Sequence, residues 1–460
     1  MSDHGLRQAR DKMEKAGVDP VAIDVFAHYY RLVEKGETGM VPESTIDPLD
    51  MDALADVEVG DDAAREAITG TVVIKLNGGL GTSMGMNQPK SLLEVRNGLS
   101  FLDIIARQVL ALRKRYDAPL PLIFMNSFRT STESMAVLRD YPGLAVDGLP
   151  LEFLQSKEPK LRADDLTPIT WDADPTLEWC PPGHGDIYTA LRGTGLLERL
   201  VGAGYTQVFV SNSDNLGAVP DPRVAGWFAQ SGAPFAIEAV RRTPSDRKGG
   251  HFATRKSDGR IVLRESAQTL DEDLAALGSV DRHRFASTNN LWFNLEAMRN
   301  ELDRRNGILG LSMIRNAKHV DPADPVSPEV IQIETAMGAA IEVFDGATTI
   351  EVGRDRFVPV KTTNDLLVLR SDCYRLRDDY VLELTAPAVP FVDLDARYYK
   401  LVGDFDARFP SGVPSLREAT SFVVSGDWTF GADVTVRGAA SLDDPGAPGR
   451  VEPGSVLGER

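Results

Sequence analysis

Short apolar runs alternate with amphipathic segments from residue 71 of this chain onward. Apolar runs of a few residues bounded by turn-forming residues are typical of buried strands, and a three-to-four-residue apolar spacing is typical of helices. The predicted strands span residues 71–76, 122–126, 207–212 and 235–241. The predicted helices span residues 100–116, 130–141 and 223–231. Strands that alternate with helices predict an α/β domain with a mixed, mostly parallel sheet.

The chain outside this alternating region follows other patterns. Residues 1–70 are predicted to form an acidic, helical N-terminal extension with a break near residues 42–48, and residues 71–390 the main domain. Residues 391–460 form a third predicted domain, in which large or small apolar residues recur every six positions. The recurring residues are Leu416, Phe422, Trp428, Val434 and Ala440. A six-residue period indicates a short β-helix, and an ordinary β-meander is the alternative.

Composition narrows the class of protein. The 460 residues carry a formal net charge of −18, which argues against nucleic acid as a partner because phosphate backbones need basic surface. Cys180 and Cys373 are the only cysteines, so we expect a reducing, cytoplasmic location. The first fifteen residues lack the apolar core of a signal peptide. No run approaches the roughly 20 apolar residues of a membrane helix, so no membrane association is expected.

A glycine-rich segment follows the first strand of the main domain. Gly78, Gly79 and Gly81 stand in the sequence NGGLGTSMG, and Lys90 follows after a proline. Successive backbone N–H groups in such a turn favour anions, and a lysine adds a point charge for phosphate. The P-loop is excluded because no lysine follows a loop glycine directly, and Met84 occupies the third glycine position of the dinucleotide fingerprint. The segment is therefore another kind of phosphate loop, or only a turn.

Two further residues fit phosphate chemistry. Asp214 comes just after the strand at residues 207–212, where a carboxylate can hold Mg²⁺ together with substrate phosphates. The alternative is that Asp214 caps the next turn. Lys361 ends an apolar run before a helix start, a position that suits contact with a phosphate, although exposed lysines are common.

Three polar clusters offer ligand contacts. His184 stands between Gly183 and Gly185 after two prolines, Lys248 precedes Gly249 and Gly250, and Asn289 precedes an apolar run. Each could equally order a loop or turn. No Ser-His-Asp order stands out, so the accumulated lysines, carboxylate and glycine turns favour phosphoryl-group chemistry, in which the protein mainly positions groups and neutralises charge.

Taken in order, several motifs resemble one family closely: LNGGLGTSMG, PKS, MNSF, PPGHGD, SNSDNLGA, KGG, TNNLW, ETAMGAAI and FVPVKTTNDLLVLRSD. The chain resembles the eukaryotic-type UTP–glucose-1-phosphate uridylyltransferase (UDP-glucose pyrophosphorylase) family from about residue 71 to beyond residue 372. The resemblance implies a Rossmann-like nucleotidyltransferase core with a C-terminal left-handed β-helix. It also implies a Mg²⁺-assisted reaction of UTP with glucose 1-phosphate. The short C-terminal repeat itself indicates an accessory module through which copies of the chain could associate.

The resemblance further implies a role for each matching residue. UTP would be held by Leu76, Asn77, Gly78, Gly79, Lys90, Gln155, Gly183, Asp214 and Lys361. Of these, Gln155 and Gly183 would read the uracil, Lys90 and Lys361 would act on the triphosphate, and Asp214 would hold the metal. The sugar phosphate would be bound by His184, Asn212, Gly250, Glu265 and Asn289.

One departure from the family pattern concerns the sugar. The family usually carries asparagine where this chain has Ser287, and that asparagine normally faces the sugar. Two alternatives therefore stand beside the main interpretation: a pyrophosphorylase for N-acetylglucosamine or galactose 1-phosphate, and a non-catalytic UDP-sugar-binding protein.

Overall fold

The helices of this computed structural model surround a central sheet. The structure describes residues 2–243, 246, 247, 249–322 and 324–458. In chain order the helices are α1 (Ser2–Lys15), α2 (Pro20–Glu34), α3 (Asp61–Thr69), α4 (Phe101–Tyr116), α5 (Ser131–Leu138), α6 (Ile187–Gly193), α7 (Leu196–Gly202), α8 (Pro222–Ser231), α9 (Leu274–Leu277), α10 (Leu295–Arg304), α11 (Thr363–Arg370), α12 (Ala396–Tyr399) and α13 (Val402–Arg408). Within the described residues, none of them has the length and apolarity that crossing a membrane requires.

The strands form the central sheet and several smaller sheets. Up to residue 264 they are β1 (Ile46–Pro48), β2 (Thr71–Asn77), β3 (Glu94–Arg96), β4 (Leu99–Ser100), β5 (Leu122–Asn126), β6 (Glu152–Leu154), β7 (Glu158–Pro159), β8 (Leu161–Arg162), β9 (Trp179–Cys180), β10 (Gln207–Asn212), β11 (Phe235–Arg241), β12 (His251–Arg255) and β13 (Ile261–Arg264). Beyond it they are β14 (Phe285–Asn294), β15 (Met313–His319), β16 (Glu329–Thr335), β17 (Thr348–Glu351), β18 (Tyr374–Leu376), β19 (Leu382–Leu384), β20 (Phe391–Leu394), β21 (Ser415–Val424), β22 (Trp428–Phe430), β23 (Thr435–Leu442), β24 (Gly449–Val451) and β25 (Val456–Gly458).

The central sheet has seven strands in the order β17-β11-β14-β10-β2-β5-β6. The pairs β10/β2, β2/β5, β5/β6 and β11/β17 are parallel, and β14 runs antiparallel to both of its neighbours. This confirms the predicted mixed, mostly parallel sheet of an α/β domain. The predicted strands and helices all form, with small differences at their ends.

Strand β2 shows why the sheet is covered on both sides. Val72 and Ile74 belong to one buried apolar cluster, which includes residues of α6, α7 and α10. Val73 belongs to a second cluster, which includes residues of α4 and α8. Successive side chains of a strand point to opposite faces, so a continuous apolar run such as this one must be buried on both faces, as in parallel sheets.

The N-terminal segment combines helices with a short strand. Helices α1 and α2 share an apolar cluster with β8, β15 and β16 that includes Phe26, Tyr30 and Ile331. Strand β1 pairs antiparallel with β12, with Asp47 opposite Thr254. Residues 41–48, called the strap below, thereby attach the segment before the first core strand to a hairpin more than 200 residues away.

The C-terminal strands are parallel and lie in separate sheets. Strands β20, β21, β23 and β25 form one sheet, and β22 and β24 form another. From β21 onward the chain alternates between the two sheets. Leu416, Phe422, Val434 and Ala440 of the six-residue repeat are buried, and Trp428 is half-buried. Four of the five repeat positions therefore belong to the core of this segment.

Candidate active site

The glycine-rich segment and the Asp214 turn lie side by side at the carboxyl edge of the central sheet. Leu76 at the end of β2 pairs with Asn212 at the end of β10. The Ser213 N–H donates to the Leu76 carbonyl at 3.1 Å, one residue before Asp214. Ligands of open α/β sheets bind at the carboxyl ends of strands, so this edge is the place to look for the site.

The glycine-rich segment folds as a loop that needs glycine at two positions. Gly81 has φ 66° and Gly85 has φ 75°, in the left-handed region that L side chains rarely adopt. The loop returns so that the Lys90 N–H donates to the Gly79 carbonyl at 3.1 Å. No atom lies within 4 Å of a Cβ built at Gly79. The loop therefore fixes Lys90 while one glycine stays open on its outer side.

Lys90 pairs with Asp214, and Lys361 follows a residue, Val360, that contacts both of them. Lys90 Nζ lies 2.7 Å from Asp214 Oδ2 and also donates to the Val360 carbonyl. The Val360 N–H donates to the Asp214 carbonyl at 3.2 Å. Lys361 follows at the start of α11, where its N–H donates to Asp365 Oδ2 at 2.8 Å. Three segments far apart in sequence thus bring two lysines and a carboxylate to one place.

A cavity of about 280 Å³ opens beside this group. Predicted site residues on its wall are Asn212, Asp214, Gly250, Glu265, Asn289 and Lys361. Burial raises the pKa of Glu265, and the charge of Lys361 acts in the opposite direction. Asp246 also lines the cavity and was missed from the sequence. Lys248, of the predicted lysine-glycine cluster, lies outside the described residues.

Residue 287 lies on the same wall, where it shapes the turn at Asn289. Asn289 has φ 57°, a left-handed conformation that asparagine tolerates better than most residues. Its N–H donates to Ser287 Oγ at 3.0 Å. Ser287 therefore contributes a hydroxyl to the cavity wall and helps to hold Asn289 in place.

The other predicted site residues lie outside the described lining of this cavity. Gln155 faces Gly78: a Cβ at that glycine would come within 2.9 Å of both polar atoms of the Gln155 amide. Ser127 Oγ donates to the Gly78 carbonyl at 3.0 Å, so Ser127 is a further contact that the sequence did not single out. Asn77 is buried, and its amide donates to Asn126 Oδ1 at 2.8 Å. Its side chain therefore holds the sheet edge together.

His184 is held in one protonation state. The Met337 N–H donates to His184 Nδ1 at 2.9 Å, and burial lowers the pKa of His184 to about 4. The ring is therefore neutral near pH 7 with its proton on Nε2, which makes Nε2 a hydrogen-bond donor. Gly183, at φ 80°, approaches β16 so closely that a Cβ there would lie 2.5 Å from the Thr335 carbonyl oxygen.

Asp186 connects the His184 turn to the Gln155 segment. The Ser156 N–H donates to Asp186 Oδ2 at 2.5 Å. Burial raises the pKa of Asp186 to about 7. Glu158, fully buried nearby, has its pKa raised by burial and then by the charge of Asp186. The carboxyl group that joins the two segments therefore gains a proton in the physiological range.

We expect the stability of this protein to fall relative to the Asp186→Asn variant as pH rises. The native pKa of about 7 exceeds the ordinary value of 3.8, so the favourable contribution is complete below pH 3.8 and is lost as pH rises to about 7. Between these values the difference in unfolding free energy should change by about 1.4 kcal/mol per pH unit. Urea unfolding at pH 5, 6, 7 and 8 measures it, with Asp147→Asn at the exposed surface as control; a constant difference would contradict the expectation.

A buried ion pair behind the cavity was also missed from the sequence. Glu238 accepts hydrogen bonds from Arg356 Nη2 at 2.6 Å, from Trp292 Nε1 at 2.9 Å and from Asn290 Nδ2 at 3.0 Å. Its partner also binds the turn after β10, because Asn215 Nδ2 donates to the Arg356 carbonyl at 3.1 Å. The signal available was a lone carboxylate inside an apolar strand, which must be paired when buried.

Lys75 carries the same kind of signal inside β2. It is 1% exposed, and its Nζ donates to Ser211 Oγ and to the Ala218 carbonyl, each at 2.7 Å. Burial, followed by the charge of Arg356, lowers the pKa of Lys75 to about 7. Lys75 therefore bridges β2 and the segment after β10, directly beneath the two turns that form the site.

Comparison with known sequences assigns a family to this arrangement. The sequence matches the UTP–glucose-1-phosphate uridylyltransferase family over residues 23–437. A UTP–glucose-1-phosphate uridylyltransferase of Hordeum vulgare is 37% identical over 448 residues, which are 95% of this chain and 92% of that protein. One of Saccharomyces cerevisiae is 38% identical over 374 residues, 80% of this chain and 73% of that protein.

Solved structures agree with the sequence comparison. A UDP-glucose phosphorylase of Trypanosoma brucei has a TM-score of 0.92 and 43% identity, covering 99% of this chain and 98% of that one. A UDP-glucose pyrophosphorylase variant of Leishmania major in complex with UDP-glucose has a TM-score of 0.93 and 40% identity, covering 98% of both chains. The chain belongs to the UTP–glucose-1-phosphate uridylyltransferase family.

Proposed function

We propose that this protein makes UDP-glucose and pyrophosphate from UTP and glucose 1-phosphate. The observation that carries the proposal is the ion pair of Lys90 and Asp214 at a cavity whose wall also holds Lys361, Glu265 and Asn289. Cations stand where phosphates would meet, and hydrogen-bonding groups line the cavity that would take a sugar. Membership of the family supplies the reaction that such a site performs.

The chemistry asks the protein mainly to bring two anions together. An oxygen of the sugar phosphate forms a bond to the α-phosphorus of UTP, and the bond from that phosphorus to the bridging oxygen of pyrophosphate breaks. Two unit charges about 4 Å apart interact by about 4 kcal/mol at an effective dielectric of 20. Lys90 and Lys361 would offset this repulsion. No general base is needed, because the attacking oxygen is already ionised.

The residues around Asp214 fit a Mg²⁺ ion bound with substrate. Magnesium typically takes one or two protein carboxylates and completes its shell with phosphates and water. Among the described residues, the only cluster of three or more histidine, cysteine or acidic ligands is Glu43, His251 and His283. Asp214, just after β10 and beside Lys90, is the carboxylate that we propose would hold the ion at this site. When bound, magnesium would lower the charge repulsion at the α-phosphate.

The neutral His184 suits a contact with a sugar phosphate. A neutral ring with its proton on Nε2 donates a hydrogen bond to the phosphate and adds no charge that would vary with pH. Gln155, held over Gly78, has both a donor and an acceptor to offer the uracil edge. These roles come from the family resemblance, and the geometry is compatible with each.

We expect glucose 1-phosphate to be preferred over galactose 1-phosphate and N-acetylglucosamine 1-phosphate by at least about tenfold in kcat/KM. The cavity is small, at about 280 Å³, and its polar groups are fixed in place. A pyrophosphate-release assay with UTP and this panel measures the preference. A higher kcat/KM for another sugar would replace glucose as the substrate. Binding of UDP-glucose without any release of pyrophosphate would favour the non-catalytic alternative.

The C-terminal segment is proposed to be a short left-handed β-helix through which copies of the chain associate. The parallel strands and the buried six-residue repeat support a helical coil. A cytoplasmic location is proposed as well. It is supported by the free, buried state of Cys180 and Cys373, which suits a reducing compartment.

A further inference from the structure

A cluster of charged and aromatic groups with a buried centre lies behind the sugar end of the cavity. Its members are Glu43, His251, Arg264, Arg282 and His283. Arg264, His251 and His283 are 0% exposed. Glu43 belongs to the strap, so the cluster joins the N-terminal segment to the main domain.

The donor set suggests a metal site at first, but the arginines exclude one. Arg264 donates to His251 Nε2 at 2.9 Å and pairs with Glu43 Oε2 at 2.7 Å. Arg282 pairs with the other carboxylate oxygen at 2.6 Å. A cation placed among these groups would meet two guanidinium charges and would have to displace their hydrogen bonds. The cluster is therefore a set of ion pairs and hydrogen bonds centred on the Glu43 carboxylate, and it is called the clamp below.

The clamp acts on the hairpin of β12 and β13, whose ends carry two predicted sugar contacts. His251 pairs with Arg264 across the hairpin. Gly250 and Glu265 are the next residues outward, and both line the cavity. Successive side chains of a strand alternate in direction. The clamp therefore contacts one face of the hairpin end, while the adjacent residues Gly250 and Glu265 face the cavity.

The two histidines connect the clamp to the start of β14. His283 Nε2 lies 3.0 Å from Glu43 Oε1, and its ring stacks on that of His251 with 3.7 Å between centroids. Burial lowers the pKa of His251 to about 3, so its Nε2 accepts from Arg264 while Nδ1 donates to the Phe252 carbonyl. Residue 283 lies just before β14, which carries Ser287 and Asn289 of the cavity wall.

Backbone contacts fix the strap at the same place. The Val41 N–H donates to the Gln268 carbonyl at 2.8 Å, and the Glu43 N–H donates to Asp273 Oδ2 at 2.7 Å. Gln268 also closes the turn after Glu265, because its side chain accepts from the Glu265 N–H at 3.0 Å. The strap thus contacts both the turn that holds Glu265 and the strand pair that precedes it.

We propose that Glu43 is a positioning residue for sugar binding: it holds the ends of β13 and β14 so that Gly250, Glu265 and Asn289 keep their places on the cavity wall. Glu43 itself is not a lining residue of the cavity. The inference rests on the proposed uridylyltransferase function and concerns only the sugar end of its site.

The test is to compare the affinity of Glu43→Gln for UDP-glucose and for UDP. Glutamine keeps the shape of the side chain but removes the charge that holds both arginines. We expect the dissociation constant of UDP-glucose to rise at least about fivefold, and that of UDP to change less than about twofold. The KM of glucose 1-phosphate should rise in parallel, whereas the KM of UTP should not.

A matched control exists on the same hairpin. Glu342 pairs with Arg255 at the opposite end of β12, and Glu342→Gln should leave both dissociation constants unchanged. Equal losses of UDP-glucose and UDP affinity in Glu43→Gln, or no loss of either, would overturn the proposal. If Glu43→Gln does not fold, Arg282→Gln replaces it in the test, because Arg282 is 45% exposed. We expect a smaller loss of affinity for UDP-glucose than in Glu43→Gln, with the affinity for UDP kept. No loss of UDP-glucose affinity in Arg282→Gln would overturn the proposal. A wild-type protein without pyrophosphate release would contradict the proposed function instead.

Discussion

Replacing Lys90 with alanine is expected to lower kcat by about 10² to 10³-fold, the usual effect of removing one group that stabilises charge in a transition state. The Lys90 ammonium lies 2.7 Å from Asp214 and also donates to the Val360 carbonyl, next to Lys361. Its loss removes a charge from the phosphate site and unties the glycine loop from the other two segments. The KM of glucose 1-phosphate should change much less than kcat, as measured by steady-state pyrophosphate release.

A second salt bridge of this protein provides the control for Lys90. Lys12 lies 2.5 Å from Glu178, and the two side chains are 20% and 12% exposed, against 19% and 23% for Lys90 and Asp214. Lys12→Ala therefore removes a lysine of similar burial whose carboxylate partner, unlike Asp214, is not a described lining residue of the cavity. It should leave kcat nearly unchanged. Near-normal turnover in Lys90→Ala would remove Lys90 from the catalytic machinery.

The core strands could be predicted from sequence because their signals are local. Leu122–Asn126 and Gln207–Asn212 form as predicted, since each is a short apolar run with turn residues on both sides. The predicted helix at residues 100–116 forms as Phe101–Tyr116 and begins at a capping box of Ser100 and Asp103. Both kinds of signal depend only on residues within a few positions, so no knowledge of the rest of the fold is needed.

The ends of elements and the pairings between distant segments were harder to predict from the sequence. Helix α5 ends at Leu138 rather than at residue 141. Pro142 keeps Tyr141 out of the helix, because the residue before a proline is driven out of the helical region. Tyr141 has φ −120° and ψ 61°. Strand β1 was not predicted in the helical extension, since its three residues become a strand only by pairing with β12.

The site residues show the same difference between local signals, which could be predicted, and non-local pairings, which could not. The positions of Asp214 and of the glycine loop followed from the rule that ligands sit at strand ends, and both turns do lie together. The partners of buried charges did not follow: Lys75 and Glu238 could be flagged as charges inside apolar strands, but not paired. Arg356 lies 118 residues from Glu238, and only the fold brings the two together.

Changing Asp214 to asparagine is expected to have the larger effect, a loss of about 10³-fold in kcat. A metal ion at a transferring phosphate stabilises transition-state charge by several kcal/mol, and about 4 kcal/mol corresponds to about 10³ in rate. In this site, among the described residues, Asp214 is the one carboxylate proposed to hold the ion, so an amide leaves no charged protein ligand. The residual rate should stay flat across a magnesium titration that activates the unchanged protein.

The carboxylate of Asp246 separates this effect from a general loss of negative charge in the cavity. Asp246 also lines the cavity, but Arg354 Nη1 lies 2.9 Å from its Oδ2 and the Thr243 N–H donates to the same oxygen at 2.8 Å. Arg354 Nη2 also lies 3.4 Å from Asp246 Oδ1, so both oxygens of Asp246 are engaged, whereas the described side-chain contact of Asp214 is to Oδ2 alone. Asp246 is therefore not proposed to hold magnesium, and Asp246→Asn should keep a normal magnesium dependence. The opposite outcome is an Asp214→Asn variant with the same magnesium titration as Asp246→Asn. It would show that the substrate phosphates hold the ion without Asp214. The rate would then depend on Asp214 through its pairing with Lys90.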